Sequence, residues 1–275
     1  MLIPYKLPEF ACRYRLLVSR KRFVLGMVQL LRLRKCCPEM MVSIGNFLFR
    51  YRNVLFPMAY VLLFLPGPRL FDDSLLAAWV GGSVAALGQM IRTLTIGLRY
   101  IIRGGRRRRV YAEDLVTDGI YALCRNPMYV GNVFIVIGIS FAANSLTTVV
   151  CAFPLVILAY AAIIAAEERF LLGRFGAAFI DYCAEVPRWV PRTTAIRTAI
   201  ANSSFHWRRV IIKEYGTPFG WINTLCLVTL FNLWRDDLLA DRTEAIQVLT
   251  GTMVLTTVLW LIAWIAKKTR LMVAD

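Results

Sequence analysis

Two stretches of this chain carry more polar chemistry than a connector needs: Glu113–Gly131 (EDLVTDGIYALCRNPMYVG) and Glu167–Pro191 (EERFLLGRFGAAFIDYCAEVPRWVP). The second opens on two adjacent carboxylates, Glu167 and Glu168, at the end of a long apolar run. A carboxylate taken out of water is costly unless a cation meets it. Arg125 or the run Arg106–Arg109 supplies that cation as an ion pair; a bound cationic ligand is the other source. S-adenosylmethionine offers an ammonium, a sulfonium and ribose hydroxyls, all of which suit a carboxylate acceptor. In the first stretch, Pro127 suits the first turn of a helix with Asn126 as its N-cap. Such a terminus is either an ordinary capped helix at a membrane surface or a holder of carboxylate or phosphate on its free N–H groups.

The elements that must position these residues are apolar helices. Of 275 residues, 58% are hydrophobic, and the mean hydropathy is +0.58. The apolar residues come in long runs, and a run of about 20 residues is what a bilayer-spanning helix needs. Six spans are expected: Val54–Leu65, extended back toward Ile44; Ser74–Leu98; Tyr129–Ala143; Leu146–Ala166, continuing as helix to Phe175; Phe219–Trp234; and Ala245–Ala266. Gly81, Gly82 and Gly88 offer a close-packing face on the second. The third and fourth are joined by a tight Asn144-Ser145 turn and must pair as a hairpin, so the two polar stretches at its ends lie close in space.

The formal charge is +16, from 33 Lys and Arg against 17 Asp and Glu. With six spans, the N-terminus, 92–125, 167–215 and the C-terminus share one side and hold 30 of those 33 cations. The opposite side holds Arg69, Arg235 and Arg242, with Asp72, Asp73, Asp236, Asp237, Asp241 and Glu244. Basic loops stay in the cytoplasm, so both termini are expected there. The fold class is an all-α, polytopic membrane bundle, with the site facing the cytoplasm from a bacterial inner membrane or its equivalent. This distribution of charge argues against a nucleic-acid partner. The chain divides into a basic amphipathic segment (1–45), two spans with a basic loop (46–110), a core holding both polar stretches (111–191), and a connector with two further spans (192–275).

Residues 1–52 are strongly basic, and the apolar stretch Phe23–Leu33 is too short to span and lacks a cleavage site. Amphipathic helices on an anionic leaflet account for it, with Arg50 and Arg52 snorkelling to the interface. Arg106–Arg109 reads as a headgroup contact. Seven cysteines (Cys12, Cys36, Cys37, Cys124, Cys151, Cys183, Cys226) show no metal-type spacing and read as reduced thiols. With His206 the only histidine, neither a zinc site nor a Ser-His-Asp triad is expected. Trp79, Trp207, Trp221, Trp234, Trp260 and Trp264 read as interface anchors.

The two polar stretches resemble the isoprenylcysteine carboxyl methyltransferase family and its relatives, the phospholipid methyltransferases. The matching text is Leu115-Val116-Thr117-Asp118-Gly119-Ile120-Tyr121, then Arg125-Asn126-Pro127-Met128-Tyr129-Val130-Gly131. After the hairpin come Glu167-Glu168, Phe175-Gly176, Phe179, Tyr182 and Val186-Pro187. The match covers about residues 113–191. It implies an S-adenosylmethionine pocket on the cytoplasmic side, with a lipid-like or small apolar acceptor entering from the membrane lipids. Carried onto matching positions, Glu113, Asp114, Leu115, Val116, Tyr121, Asn126, Pro127, Met128, Tyr129 and Glu167 contact the cofactor. Arg125 and Glu168 support it, so the catalytic set is Arg125, Tyr129 and Glu168. Two positions depart from the family. Its usual histidine is Asn126 here, which hydrogen-bonds but carries no proton at neutral pH. Its substrate-fixing arginine, where the isoprenylcysteine enzymes have one, is Ile163.

The resemblance implies methyl transfer to an O, N or S atom of the acceptor. The sulfonium is already activated, so the protein mainly aligns the partners and excludes water. A phosphatidylethanolamine amine would have to lose a proton, with Glu168 or Asp118 as acceptor. Two rivals stand beside this expectation. One is an NADPH-dependent enzyme resembling the membrane sterol reductases, although no G-x-G-x-x-G turn is present. The other is a non-catalytic lipid-binding or assembly protein that retains the pocket.

Overall fold

The computed structural model describes residues 39–99, 112–192, 196 and 204–269. Residues 1–38, with Phe23–Leu33, Cys12, Cys36 and Cys37, and the Arg106–Arg109 run lie outside the described residues. Among the described residues the fold is all-helical: α1 (Glu39–Ala59), α2 (Ser74–Leu98), α3 (Pro127–Ala142), α4 (Leu146–Phe175), α5 (Ala177–Glu185), α6 (Trp207–Glu214), α7 (Gly216–Arg235) and α8 (Thr243–Lys268). Short 3₁₀ turns cover Tyr60–Phe64 and Gly119–Ala122.

Five of the expected spans coincide with a helix, and the first, Val54–Leu65, divides between α1 and the 3₁₀ turn Tyr60–Phe64. Three of these helices, α2, α4 and α8, are long and apolar enough to cross a membrane. The shorter α3 is apolar but has only 16 residues. Helices α1 and α7 reach the length but not the apolarity. The first helix begins well before Val54 and takes in Ile44.

Local chemistry sets the helix ends. Asp73 caps α2 by accepting from the Leu75 N–H at 2.8 Å, and Ser145 caps α4 by accepting from Thr148. Pro127 stands in the first turn of α3, where its missing N–H costs nothing. Asn144, at φ +48°, makes the turn between α3 and α4. Its amide accepts from the Leu70 and Phe71 N–H groups and donates to the Phe71 carbonyl, so the hairpin tip is tied to the loop before α2.

The core is a close pairing of α2 with α3, flanked by α1 on α4 and by α7 on α2 and α3. A Cβ on Gly81 would lie 2.3 Å from the Gly138 carbonyl oxygen, and one on Gly88 2.5 Å from that of Gly131. The backbones can approach this closely only with glycine at those positions. Gly82 faces Leu225 at ordinary contact distance and takes no part in that seam. Helix α8 packs on α7 and buries no residue within the chain.

Arg92, counted above among the loop cations, lies inside α2 and is 7% exposed. Its guanidinium bonds both oxygens of Glu214, the last residue of α6, and also Thr217 at 3.0 Å and the Asn132 amide oxygen. Glu214 is 2% exposed. Breaking one side of such a pair strands a buried charge, while removing both sides relieves both desolvation costs. Arg92→Leu or Glu214→Leu alone should therefore lower stability by about 3–5 kcal/mol, and the double substitution by far less. Unfolding curves in detergent for the four proteins measure that coupling.

Candidate active site

Backbone and side-chain bonds bring the two polar stretches together at the end of the α3–α4 hairpin. The Arg125 N–H donates to the Pro187 carbonyl at 3.0 Å, and the Arg192 N–H to that of Leu123 at 2.9 Å. Between them the Asn126 amide donates to the Arg188 carbonyl at 3.1 Å, and the Cys124 thiol to that of Trp189 at 3.2 Å. The Tyr182 hydroxyl donates to the Tyr121 carbonyl at 2.8 Å. Asn126 precedes Pro127 as expected, but its side chain does not cap α3: the tail after α5 offers its amide a carbonyl instead.

The two carboxylates then part company. Successive helical residues point about 100° apart, so Glu167 and Glu168 face different neighbours. Glu168, 7% exposed, accepts from Arg125 at 3.0 Å and from both arms of the Arg188 fork. Its cation is thus supplied twice over by the protein. Glu167 is half-buried and accepts from the Tyr129 hydroxyl at 2.7 Å. Among the described residues it has no ion-pair partner. Arg52 of α1 acts on it only at longer range.

The remaining expected residues take up three positions. Pro127 and Met128 are buried, with Met128 against Ile96 and Val210, on the α2 and α6 side. Leu115 packs on Phe179, Tyr182 and Val186, and Tyr121 is buried beside them. Glu113 and Asp114 are exposed, Val116 is half-buried, and the Glu113 carbonyl accepts from Arg174 at 3.3 Å. Asp118 is exposed and paired with Arg99 at 3.0 Å. Burial pushes the Cys183 thiol up to about 11 despite the neighbouring Arg125, and it pushes Cys124 and Tyr182 upward as well. All three stay protonated at neutral pH, and neither thiol is poised as a nucleophile.

Four contributors escaped sequence reasoning. Arg188 supplies the second guanidinium on Glu168. Tyr160 of α4 lies against Tyr129 with ring centroids 5.2 Å apart. Arg52 is half-buried, stacks over Phe49 at 4.4 Å, and its charge reaches Tyr129 and Tyr160. Trp221 is no interface anchor, since its indole N–H donates to Gln89 at 3.2 Å inside the bundle. For Arg52 and Arg92 a signal was available, because a cation inside an apolar helix needs a reason to be there.

These residues fit S-adenosylmethionine. Glu167 is an acceptor held by Tyr129 and free of direct ion pairing, as an ammonium or ribose hydroxyl requires. Arg125 Nε is buried without a hydrogen-bond partner, a donor suited to a ligand carboxylate.

The phospholipid methyltransferase family matches residues 76–178, from the third residue of α2 to the second of α5, and so takes in both glutamates and the Arg125–Gly131 stretch. The chain belongs to this family, within the isoprenylcysteine carboxyl methyltransferase-like membrane methyltransferases. It is 30% identical to the cobalt-zinc-cadmium resistance protein CzcN of Cupriavidus metallidurans over 159 residues, 56% of this chain and 70% of that protein. It is 28% identical to the nickel-cobalt-cadmium resistance protein NccN of Alcaligenes xylosoxydans over 162 residues, 56% of this chain and 71% of that protein. No solved structure matches. Family membership and three apolar helices make the chain a membrane protein.

Proposed function

We propose that this protein is an S-adenosylmethionine-dependent methyltransferase acting on a lipid-like or small apolar acceptor at the cytoplasmic face of the membrane. In this proposal all six long helices cross the bilayer, with both termini cytoplasmic. The observation that carries it is the contrast between the two glutamates: Glu168 is saturated by Arg125 and Arg188, and Glu167 is left without a direct ion pair beside it. A half-buried carboxylate in that condition is best accounted for by a cationic ligand.

When bound, the cofactor would supply an activated methyl group on a sulfonium. The chain's own residues bind and align. Tyr129 orients Glu167, and Glu167 would accept from the cofactor's ammonium or hydroxyl groups. Glu168, with Arg125 and Arg188, fixes the α3 start against the tail after α5. Both oxygens of Glu168 are already engaged by guanidiniums, so an acceptor with no proton to lose suits this site better than a protonated amine. The NADPH rival draws no support from the geometry, whose free group is an acceptor for cations and not a holder of phosphates.

The relatives' names give the non-catalytic rival its one argument, a link to metal resistance. Among the described residues, however, no three His, Cys, Asp or Glu side chains gather as a metal-binding group. The test is transfer of tritium from methyl-labelled S-adenosylmethionine into the organic phase of membranes containing the protein. Label in an extractable product, lost with Glu167→Ala, supports an enzyme; no label above membranes lacking the protein removes it.

A further inference from the structure

Helix α6 lies beyond the family match, which ends at 178. Its inward face is fully engaged: Val210 packs on Ile96 and Met128, and Glu214 pairs with Arg92. Its other face is open. Trp207 is 66% exposed there, and Ile211, one turn on, is exposed as well. Arg208 is exposed beside them, and Arg209 is half-buried.

The helix is held at the level where two apolar helices end. The His206 N–H donates to the Gly97 carbonyl at 3.0 Å, one residue from the end of α2. The Phe205 ring sits against Gly97, where a Cβ would come within 2.2 Å of it. Just past the other end of α6, the Tyr215 ring lies under the Lys267 ammonium at 5.1 Å and 6.4 Å from the Trp260 ring, near the C-terminal end of α8. Both α2 and α8 are long and apolar enough to cross a bilayer. A connector tied to the C-terminal ends of both runs along one bilayer surface, and exposed Trp207 and Ile211 suit the boundary between headgroups and acyl chains.

Charge selects what meets it. Glu214 is the one acid on α6, and it is buried. At the α8 end, Lys267 and Lys268 add two cations, with Lys268 over the exposed Trp264. Among the described residues neither Arg208 nor Arg209 has an ion-pair partner. A cavity of about 210 Å³ is walled by Phe205, His206, Trp207, Arg208 and Arg209. Arg209 buries an Nε that no acceptor meets. A buried donor in that condition carries a cost that an anion removes. At roughly 30 Å³ for a group the size of a water molecule, the cavity takes about seven such groups, a phosphate and part of what it esterifies. In the proposed topology this is the cytoplasmic leaflet, whose surface is negative.

We infer that α6 is a receptor for one anionic phospholipid, its phosphate held by Arg208 and Arg209 and its acyl chains against Trp207 and Ile211. The site is separate from the glutamate junction, and it stands whether or not the protein transfers a methyl group. The lipid is a partner of the connector and not the methyl acceptor.

The full chain in dodecyl maltoside is titrated with phosphatidylglycerol brominated high on one acyl chain, close to the headgroup, where the bromine quenches a nearby tryptophan. Phosphatidylcholine brominated at the same carbons is the zwitterionic comparison, and glycerol phosphate is the competitor without chains. The readout is the part of the quenching that disappears in Trp207→Phe, which separates this site from the other basic segments. The expected result is saturable quenching by phosphatidylglycerol, about tenfold weaker binding of phosphatidylcholine, and no displacement by glycerol phosphate. Arg208→Gln should weaken phosphatidylglycerol about fivefold and Arg209→Gln about tenfold, with phosphatidylcholine unchanged in both. Melting curves identify the folded variants, and the exposed Arg208→Gln carries the test if Arg209→Gln is not among them. Equal quenching by the two lipids, an unchanged preference in either folded arginine variant, or displacement by glycerol phosphate would each overturn the inference.

Discussion

Glu167→Ala abolishes S-adenosylmethionine binding and leaves the protein folded. The expectation follows from what Glu167 touches. It accepts one hydrogen bond, from Tyr129, and carries no ion pair among the described residues. Its removal therefore strands one tyrosine hydroxyl and no charge. A hydroxyl that loses its partner costs about 1–3 kcal/mol when it is buried, and less where water reaches it. For the ligand the loss is larger, since a charge-assisted contact is worth about twice a neutral one and the site offers no second carboxylate free to replace it. Tyr129→Phe should retain binding at reduced affinity, because it loosens the carboxylate without deleting it. Calorimetric titration beside a melting curve reads both halves of the expectation. Wild-type affinity in Glu167→Ala would remove the residue from the site.

The neighbouring substitution has the opposite outcome. Glu168→Ala should cost about 3–5 kcal/mol of stability, because it leaves the two guanidiniums of Arg125 and Arg188 facing each other with their shared counter-charge gone. The two arginines belong to segments that also pair through their backbones, at Arg125 with Pro187 and Leu123 with Arg192. Their repulsion would pull apart the junction that closes the end of the hairpin. A lowered melting temperature in Glu168→Ala, partly recovered in the double variant Glu168→Ala/Arg188→Ala, is the expected pattern. A melting temperature equal to wild type would mean that the ion-paired knot contributes little. Two adjacent residues of the same type are thus predicted to fail in different ways, one in binding and one in folding.

Much of this arrangement is legible in the sequence, and the reasons are physical. Long apolar runs have only one low-cost structure in a membrane, so α2, α4 and α8 appear near their expected positions, and the other expected helices form beside them. The short Asn144-Ser145 turn forces α3 and α4 into a hairpin, and that alone brings the two polar stretches together. The pairing of Arg125 with Glu168 follows. What stayed hidden depends on contacts between residues far apart in the chain. Arg188 sits in an irregular tail whose path is set by backbone bonds to 123–125, and no periodicity reports such a path. The same tail draws the Asn126 amide away from the helix cap that local propensity favours. Arg92 and Glu214 are 122 residues apart, and Glu214 lies on an amphipathic surface helix that gives no sign of an inward partner. Which glutamate is paired and which is free was open in the sequence, because adjacent positions read alike until helical geometry aims them differently.

The central claim is that the Glu167 side of this junction holds S-adenosylmethionine. The most direct test is calorimetric titration of the purified protein in detergent with S-adenosylmethionine and, separately, with NADPH. The account predicts saturable binding of the first at one site and none of the second. Binding of NADPH alone, or of neither, would contradict it.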